Sequence, residues 1–232
     1  MIGAARLYPQ PFDEPEVALI ESVAISAGQT LERIWAQQER DELIGRLKES
    51  FIGTAEALAN ALEAKDDYTA NHASEVADMA VAVGAELGLS EQQLEDLRYG
   101  AIFHDIGKIA IPDSILHKPG PLDPDERTVM MRHPEIGAQI IEPIPLLSAE
   151  VKRMVRHDHE HFDGRGYPDG LAGEAIPLGA RIILVVDSFH AMTSDRPYRR
   201  AMPRQQALAE LDRCAGSQFD PVIVRAFVRV IG

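Results

Sequence analysis

Two cation-ligating residues, His104 and Asp105, stand side by side at the end of the apolar run Tyr99-Gly-Ala-Ile-Phe103, with Gly107 and Lys108 close behind. Neighbours on an α-helix project about 100° apart, so this imidazole and carboxylate reach one ion only where a helix ends or bends. Gly107 is placed to supply that irregularity. Ligands of the same kind recur at His72, His133, Asp158-His159 and Asp187. A mixed imidazole and carboxylate set is too soft for calcium and lacks the thiolates of a structural zinc site; it suits iron, manganese or zinc. Burying so many ionisable groups without a cation is costly. A set of more than five ligands points to two ions.

These residues are scattered along the chain, so tertiary structure has to gather them. Alanine and leucine recur at helical spacing and aromatics are only 6% of residues, which predicts an all-α fold, a helical bundle whose facing helices bring ligands together in the core. Ile20, Ala24, Ala27, Leu31 and Ile34 form a heptad-like seam. The seam falters at Gln38 and Asp41 and resumes through Ile44, Leu47, Phe51, Ala55, Leu58 and Leu62, as one long helix or two joined by a stutter. Such a stripe needs a partner, either its own domain or a second copy in a parallel homodimer. A helix over about Thr69–Leu87 puts His72 on the same face as Val76, Val83 and Leu87. Ser90 caps the next helix, which carries Leu94, Leu97, Ala101 and His104 inward. Asp123 caps a further helix starting at Pro124, with His133 near its end. Another runs from about Ser148 to the cluster His157-Asp-His-Glu-His161. The glycine-rich stretch from Phe162 to Pro177 is a structured loop. The apolar run Ile182–Val186 continues into Asp187 and Met192 as a buried helix, and helices over about Arg204–Ala215 and Asp220–Val230 close the chain.

The 232 residues suffice for one sizeable domain, or one domain and part of another. A formal net charge of −14 argues against binding a nucleic-acid polymer, which needs a basic footprint. One local basic cluster exists, Arg196, Arg199, Arg200 and Arg204. The single cysteine, Cys214, excludes an intrachain disulfide and fits a cytoplasmic location, and no apolar run approaches the length that inserts into a membrane.

From about Gly45 onward the motifs resemble the HD-GYP family, phosphohydrolases of the HD superfamily that cleave cyclic di-GMP. In order they are Tyr68-Thr-Ala-Asn-His72, His104-Asp-Ile-Gly-Lys108, Leu116-His-Lys-Pro-Gly120, His133-Pro-Glu-Ile-Gly137, His159-Glu-His-Phe-Asp-Gly-Arg-Gly-Tyr-Pro168, Asp187-Ser-Phe-His-Ala-Met-Thr-Ser-Asp-Arg-Pro-Tyr198 and Gly216-Ser-Gln-Phe-Asp-Pro221. The resemblance implies an HD-GYP-like bundle over residues 45–232. It implies His72, His104, Asp105, His133, His159 and Asp187 as ligands of two divalent metal ions, with Asp105 between them; Asp158, at a departing position, is a type that can still ligate. Asp105 and Lys108 would be the catalytic pair. Tyr167 would shape the pocket, and Arg196 and Arg199 would hold the phosphates of a cyclic dinucleotide substrate. Tyr8 to Ala27 is similar to the end of a GAF domain. Residues 1–44 would then be the remnant of such a domain and a connector helix, and an upstream sensor domain is implied.

Four positions depart from the family pattern. Asp158-His159 stands where a His-His pair is usual, His190 where an aspartate is common, and Glu75 where an arginine is usual. Tyr68 replaces the glutamate of members with three metals, which favours two. The first three keep open a degenerate domain that binds a nucleotide or a protein without turnover. His157-Asp-His-Glu-His161 also fits the inverted zinc-peptidase pattern, but that pattern needs a continuing helix, which Asp163-Gly-Arg-Gly interrupts. On the HD-GYP reading His117, His157 and His161 are exposed, and Glu160 is a capping or supporting residue.

Overall fold

The computed structural model describes residues 11–63, 72–195 and 200–232. Within them the chain is helical and holds no β-strand, only an isolated bridge between Ala215 and Phe219. The helices are α1 (Glu14–Glu63), α2 (His72–Glu86), α3 (Glu91–Phe103), α4 (Asp113–Leu116), α5 (Pro124–Met130), α6 (His133–Ile141), α7 (Ala149–His157), α8 (Leu178–Thr193), α9 (Arg204–Arg213) and α10 (Pro221–Ile231). Short 3₁₀ turns occupy Ile106–Ala110 and Gly173–Ala175. No described helix is long and apolar enough to cross a membrane.

Two compact units divide the chain, Met1–Ile52 and Gly53–Gly232. In the first, the described residues belong mostly to α1, whose Leu31, Ile34, Trp35, Ile44 and Leu47 are exposed. The stretch similar to the end of a GAF domain, Tyr8 to Ala27, begins outside the described residues, and from Glu14 onward it is part of α1.

The second unit is built around α8. Five successive residues, Ile182 to Val186, are buried, so this stretch of the helix is apolar all round and must be enclosed. Helices α2, α3, α7 and α10 pack against it, bringing Val76, Val83, Leu97, Ile102, Val151, Val155 and Phe227 into one core. Each such side chain contributes roughly 1.5–3 kcal/mol when fully buried. The starts of α3 and α5 carry capping boxes, Ser90 with Gln93 and Asp123 with Glu126, satisfying donors that the first helical turn leaves open. Asp220 caps α10 through Val222 N–H at 2.8 Å and also pairs with Arg181 on α8 at 2.5 Å, joining the two helices.

Two expectations need correction. His133 does not end the helix begun at Pro124: α5 stops at Met130, and His133 opens α6, with Pro134 in the first turn, where a missing N–H costs nothing. Gly107 also acts differently from a helix-ending glycine. The chain leaves α3 at His104 and Asp105 (φ −99°, ψ 3°) and enters the 3₁₀ turn, with Gly107 pressed against α6. A Cβ there would lie 1.9 Å from the carbonyl oxygen of His133. Close approach, not a left-handed backbone, demands glycine at this position.

Candidate metal centre

Five places in the fold deliver the ligating side chains. His72 lies on α2, His104 and Asp105 form the junction from α3 to the 3₁₀ turn, His133 starts α6, and Asp187 lies on α8. His159 and Asp158 follow the end of α7. Packing of the 3₁₀ turn on α6 and of α2 and α3 on α8 gathers them into two adjacent sets. His72, His104 and Asp187 make one, and Asp105, His133 and His159 the other; in each, the ligand atoms lie within 4.8 Å of one another. The sets join through His104 and Asp105, whose Nε2 and Oδ2 are 3.4 Å apart.

Hydrogen bonds at the far side of two rings dictate what faces the centre. His104 Nδ1 donates to the carbonyl of Ala101 at 2.7 Å, and His133 Nδ1 to that of Met130 at 2.8 Å. Each neutral ring therefore turns an Nε2 lone pair inward. His133 Nε2 meets Asp105 Oδ1 at 3.4 Å and His159 Nε2 at 3.0 Å; His104 Nε2 has Asp187 Oδ1 at 4.0 Å and no hydrogen-bond partner. Acceptors thus converge on acceptors. Such an arrangement holds together only with protons or cations between them, and a donor set of nitrogen and carboxylate oxygen fits a divalent transition metal.

The titration behaviour follows from burial and crowding. Burial lowers His72 to about 2, and His104 beside it adds to the effect. His159 falls to about 3 through burial and His133, and His133 to about 4 through burial against the pull of Asp105. Burial also opposes a proton on His104, but Asp105, Asp187 and Asp158 outweigh it and raise the pKa. Asp105 resists its own burial because Lys108, His104 and His133 surround it, and it stays well below the carboxylate range. Lys108 Nζ donates to Asp105 Oδ2 at 2.7 Å. Three imidazoles are thereby kept deprotonated, the state a metal requires.

Asp158 belongs to neither tight set. It is almost fully buried, neither carboxylate oxygen has a hydrogen-bond partner, and the nearest ring nitrogen, His159 Nε2, is 3.9 Å away. Burial pushes its pKa well above the usual range. A buried carboxylate without a donor beside a ligand cluster is a further sign of a cation, since alone it costs several kcal/mol.

The loop after α7 forms one wall. Tyr167 stacks on His159 with ring centres 5.0 Å apart and planes at 17°. Glu160 holds the loop by accepting the Asp169 N–H at 2.7 Å and the Leu171 N–H at 3.1 Å. Gly166 is required by close approach, because a Cβ would lie 2.1 Å from the His161 nitrogen. His157, expected at the surface, is buried instead: its Nδ1 donates to the Arg153 carbonyl and its Nε2 lies 2.9 Å from Asp169 Oδ2. Asp169, also bound by Arg156, ties the loop back to α7. Because α7 stops at His157, the peptidase-like spacing is not presented on one helix. His117 is exposed and His161 half-buried. Beside Tyr167 opens a groove of about 360 Å³ lined by Pro121, Leu122, Arg127, Met130, Met131 and the tyrosine itself.

Arg196, Arg199 and Tyr68 lie outside the described residues. Asp169 and the carbonyls of Ala101 and Met130 were not anticipated. Both carbonyls lie three residues before the histidine they orient, a spacing any side chain satisfies, so residue type carries no signal for them.

A family model described as an HD domain matches residues 56–223. The chain belongs to that family, and its Gly166-Tyr167-Pro168 loop and curated relatives place it in the HD-GYP branch. It is 46% identical over 178 residues to the cyclic di-GMP phosphodiesterase response regulator RpfG of Xanthomonas campestris, a match covering 76% of this chain and 47% of that protein. It is 36% identical to a cyclic di-GMP phosphodiesterase of Thermotoga maritima, over 84% of this chain and 53% of the other. The 3'3'-cGAMP-specific phosphodiesterase 2 of Vibrio cholerae is 34% identical, with 94% and 40% covered. The chain spans about half the length of these curated relatives. In fold it is similar to a cyclic GMP-AMP-specific phosphodiesterase of V. cholerae (TM-score 0.56, 22% identity, 76% of this chain and 48% of the other). A second likeness is Bd1817 of Bdellovibrio bacteriovorus (TM-score 0.56, 18% identity, 69% and 51% covered).

Proposed function

We propose that this chain is a cytoplasmic metal-dependent phosphodiesterase that opens cyclic di-GMP to linear pGpG, with further cleavage to GMP as a second step. The observation that carries the reading is the convergence of imidazole lone pairs and carboxylates into two adjoining sets, with the buried Asp158 carboxylate beside them. His72, His104 and Asp187 would hold one divalent ion and Asp105, His133 and His159 the other, with Asp105 shared and Asp158 alongside; iron or manganese suits the donors best, and zinc is compatible. Ions so held supply a nucleophilic water near neutral pH and offset charge on the phosphoryl oxygens.

The chain's own groups then have defined tasks. Lys108 pins Asp105 through its 2.7 Å bond and brings a positive charge to the rim of the cluster. In the hydrolysis, water oxygen joins phosphorus as the bond to the ribose 3′-oxygen breaks, and that oxygen leaves with a proton. The Tyr167 groove, with two methionines and Arg127, offers an apolar slot for a nucleobase. Arg196 and Arg199 are proposed to hold phosphate. The exposed apolar residues of α1, Leu31, Ile34, Ile44 and Leu47, are read as pairing with a second copy downstream of a sensor domain.

Metal analysis of the purified protein together with chromatography of its products from cyclic di-GMP and cyclic GMP-AMP tests the reading. Two ions per chain and pGpG are expected, and Asp105→Ala is expected to lose turnover and most bound metal. Metal without turnover on any cyclic dinucleotide leaves the degenerate binding module; a variant that hydrolyses normally overturns the role of Asp105.

A further inference from the structure

Two of the unusual residues, Glu75 and His190, are in contact. Glu75 Oε2 lies 2.8 Å from His190 Nε2, and His190 Nδ1 lies 2.9 Å from His72 Nδ1. At the other end, His72 Nε2 is 3.3 Å from Asp187 Oδ1, inside the ligand cluster. The row runs from an accessible carboxylate, whose side chain is 58% exposed, through a nearly buried ring to a fully buried one.

Donor and acceptor rules give this row a polarity. An ionised carboxylate only accepts, so His190 Nε2 is the N–H. A neutral His190 then has a lone pair at Nδ1, which also faces the Ser194 hydroxyl at 3.4 Å. Two ring nitrogens 2.9 Å apart need one proton between them, so His72 Nδ1 donates and its Nε2 carries the lone pair. The reverse polarity needs a doubly protonated His190 and points an N–H of His72 at Asp187, which blocks ligation. With both ring nitrogens engaged, His190 is not itself a ligand.

We propose that Glu75 and His190 are positioning residues: a carboxylate–imidazole–imidazole row that holds His72 in its Nδ1–H tautomer and aims Nε2 at the ion shared with His104 and Asp187. This rests on the metal-centre reading above. It also couples two departures from the family pattern, because the histidine at 190 is useful as an acceptor for His72 only while an acid at 75 takes its other proton. Groups that orient a ligating histidine typically change metal affinity by about 10–100-fold.

The test uses the intact chain and two readouts other than turnover. Competition against a chromogenic chelator gives Zn²⁺ and Mn²⁺ affinities for His190→Leu, which removes the acceptor, and for His190→Asn, whose side-chain oxygen replaces Nδ1. His190→Leu is expected to weaken one of the two ions by about 10–100-fold and His190→Asn to recover most of that loss. Glu75→Gln is expected to fall between. Ring-nitrogen NMR of the Zn²⁺-loaded protein is expected to show His72 protonated at Nδ1 and His190 at Nε2 alone. Unchanged affinities for both ions in His190→Leu, or a His190 protonated at both nitrogens, overturns the proposal. A wild-type chain that binds neither metal overturns the metal-centre reading instead, and the same NMR spectrum of the ion-free protein then decides the row by itself.

Discussion

Asp105 and Lys108 illustrate how one residue pair divides its labour. The carboxylate stays ionised in a buried place because the ammonium and two imidazoles surround it, while the lysine fixes its orientation. Lys108→Met is expected to reduce kcat on the order of 10²-fold without loss of bound metal, since in the proposed mechanism the lysine compensates charge and the imidazoles would hold the ions. Kinetics paired with metal analysis of the same preparation checks this; loss of metal in parallel with activity would make Lys108 a structural counterion only. Asp158 presents the opposite case, a carboxylate buried without a donor. Asp158→Asn is expected to lower metal affinity without harming the ion-free fold, because the amide is the same size and removes a buried charge. Equal or tighter metal binding in that variant would exclude Asp158 from the centre.

At the scale of elements, the centre depends on how closely the 3₁₀ turn approaches α6. Gly107→Ala places a methyl against the His133 carbonyl, and backbone on both sides leaves no flexible side chain to yield. A loss of about 3 kcal/mol or more in chemical denaturation is expected, or failure to accumulate folded protein. The Tyr167 loop depends on Glu160 in a different way, through two accepted N–H bonds. Glu160→Gln is expected to cost about 1–3 kcal/mol, since one of the two acceptors becomes a donor facing an N–H. It should also raise KM more than it lowers kcat, because the loop forms the pocket wall.

For the molecule as a whole, the cluster is expected to make stability depend on pH and, on the proposed reading, on metal ions. In the ion-free protein His72, His133 and His159 have folded pKa values near 2, 4 and 3, below the unfolded value of about 6.5. The unfolded chain therefore binds protons first as pH falls. The stability these histidines contribute is present above about pH 6.5 and is lost toward pH 4, by roughly 1.4 kcal/mol per pH unit for each. Asp158, with its raised pKa, acts in the opposite direction over part of that window, and so does His104 above about pH 6.5, leaving three groups against two. Denaturation midpoints of chelator-treated protein are expected to fall between pH 7 and pH 5; a flat profile would contradict the buried, deprotonated cluster. Adding Mn²⁺ at about 100 times its Kd is expected to raise Tm by about 5–10 °C, the shift that roughly 2.7 kcal/mol of linkage produces in a domain this size.

The ligand types, their helical setting, the caps at Ser90 and Asp123 and the enclosed α8 are all legible along the chain, because each depends on residues within a turn or two of one another. The glycine-rich loop is legible in the same way, while Tyr167 within it comes only through the family resemblance. Three features come only from packing. Gly107 owes its identity to a carbonyl of α6, His157 is buried because Asp169 returns to meet it, and Glu75, His190 and His72 form one row across α2 and α8. Local sequence specifies torsions and apolar faces. Which lone pair meets which carboxylate depends on distances of about 3 Å between segments far apart in the chain, and only the folded arrangement of helices sets those.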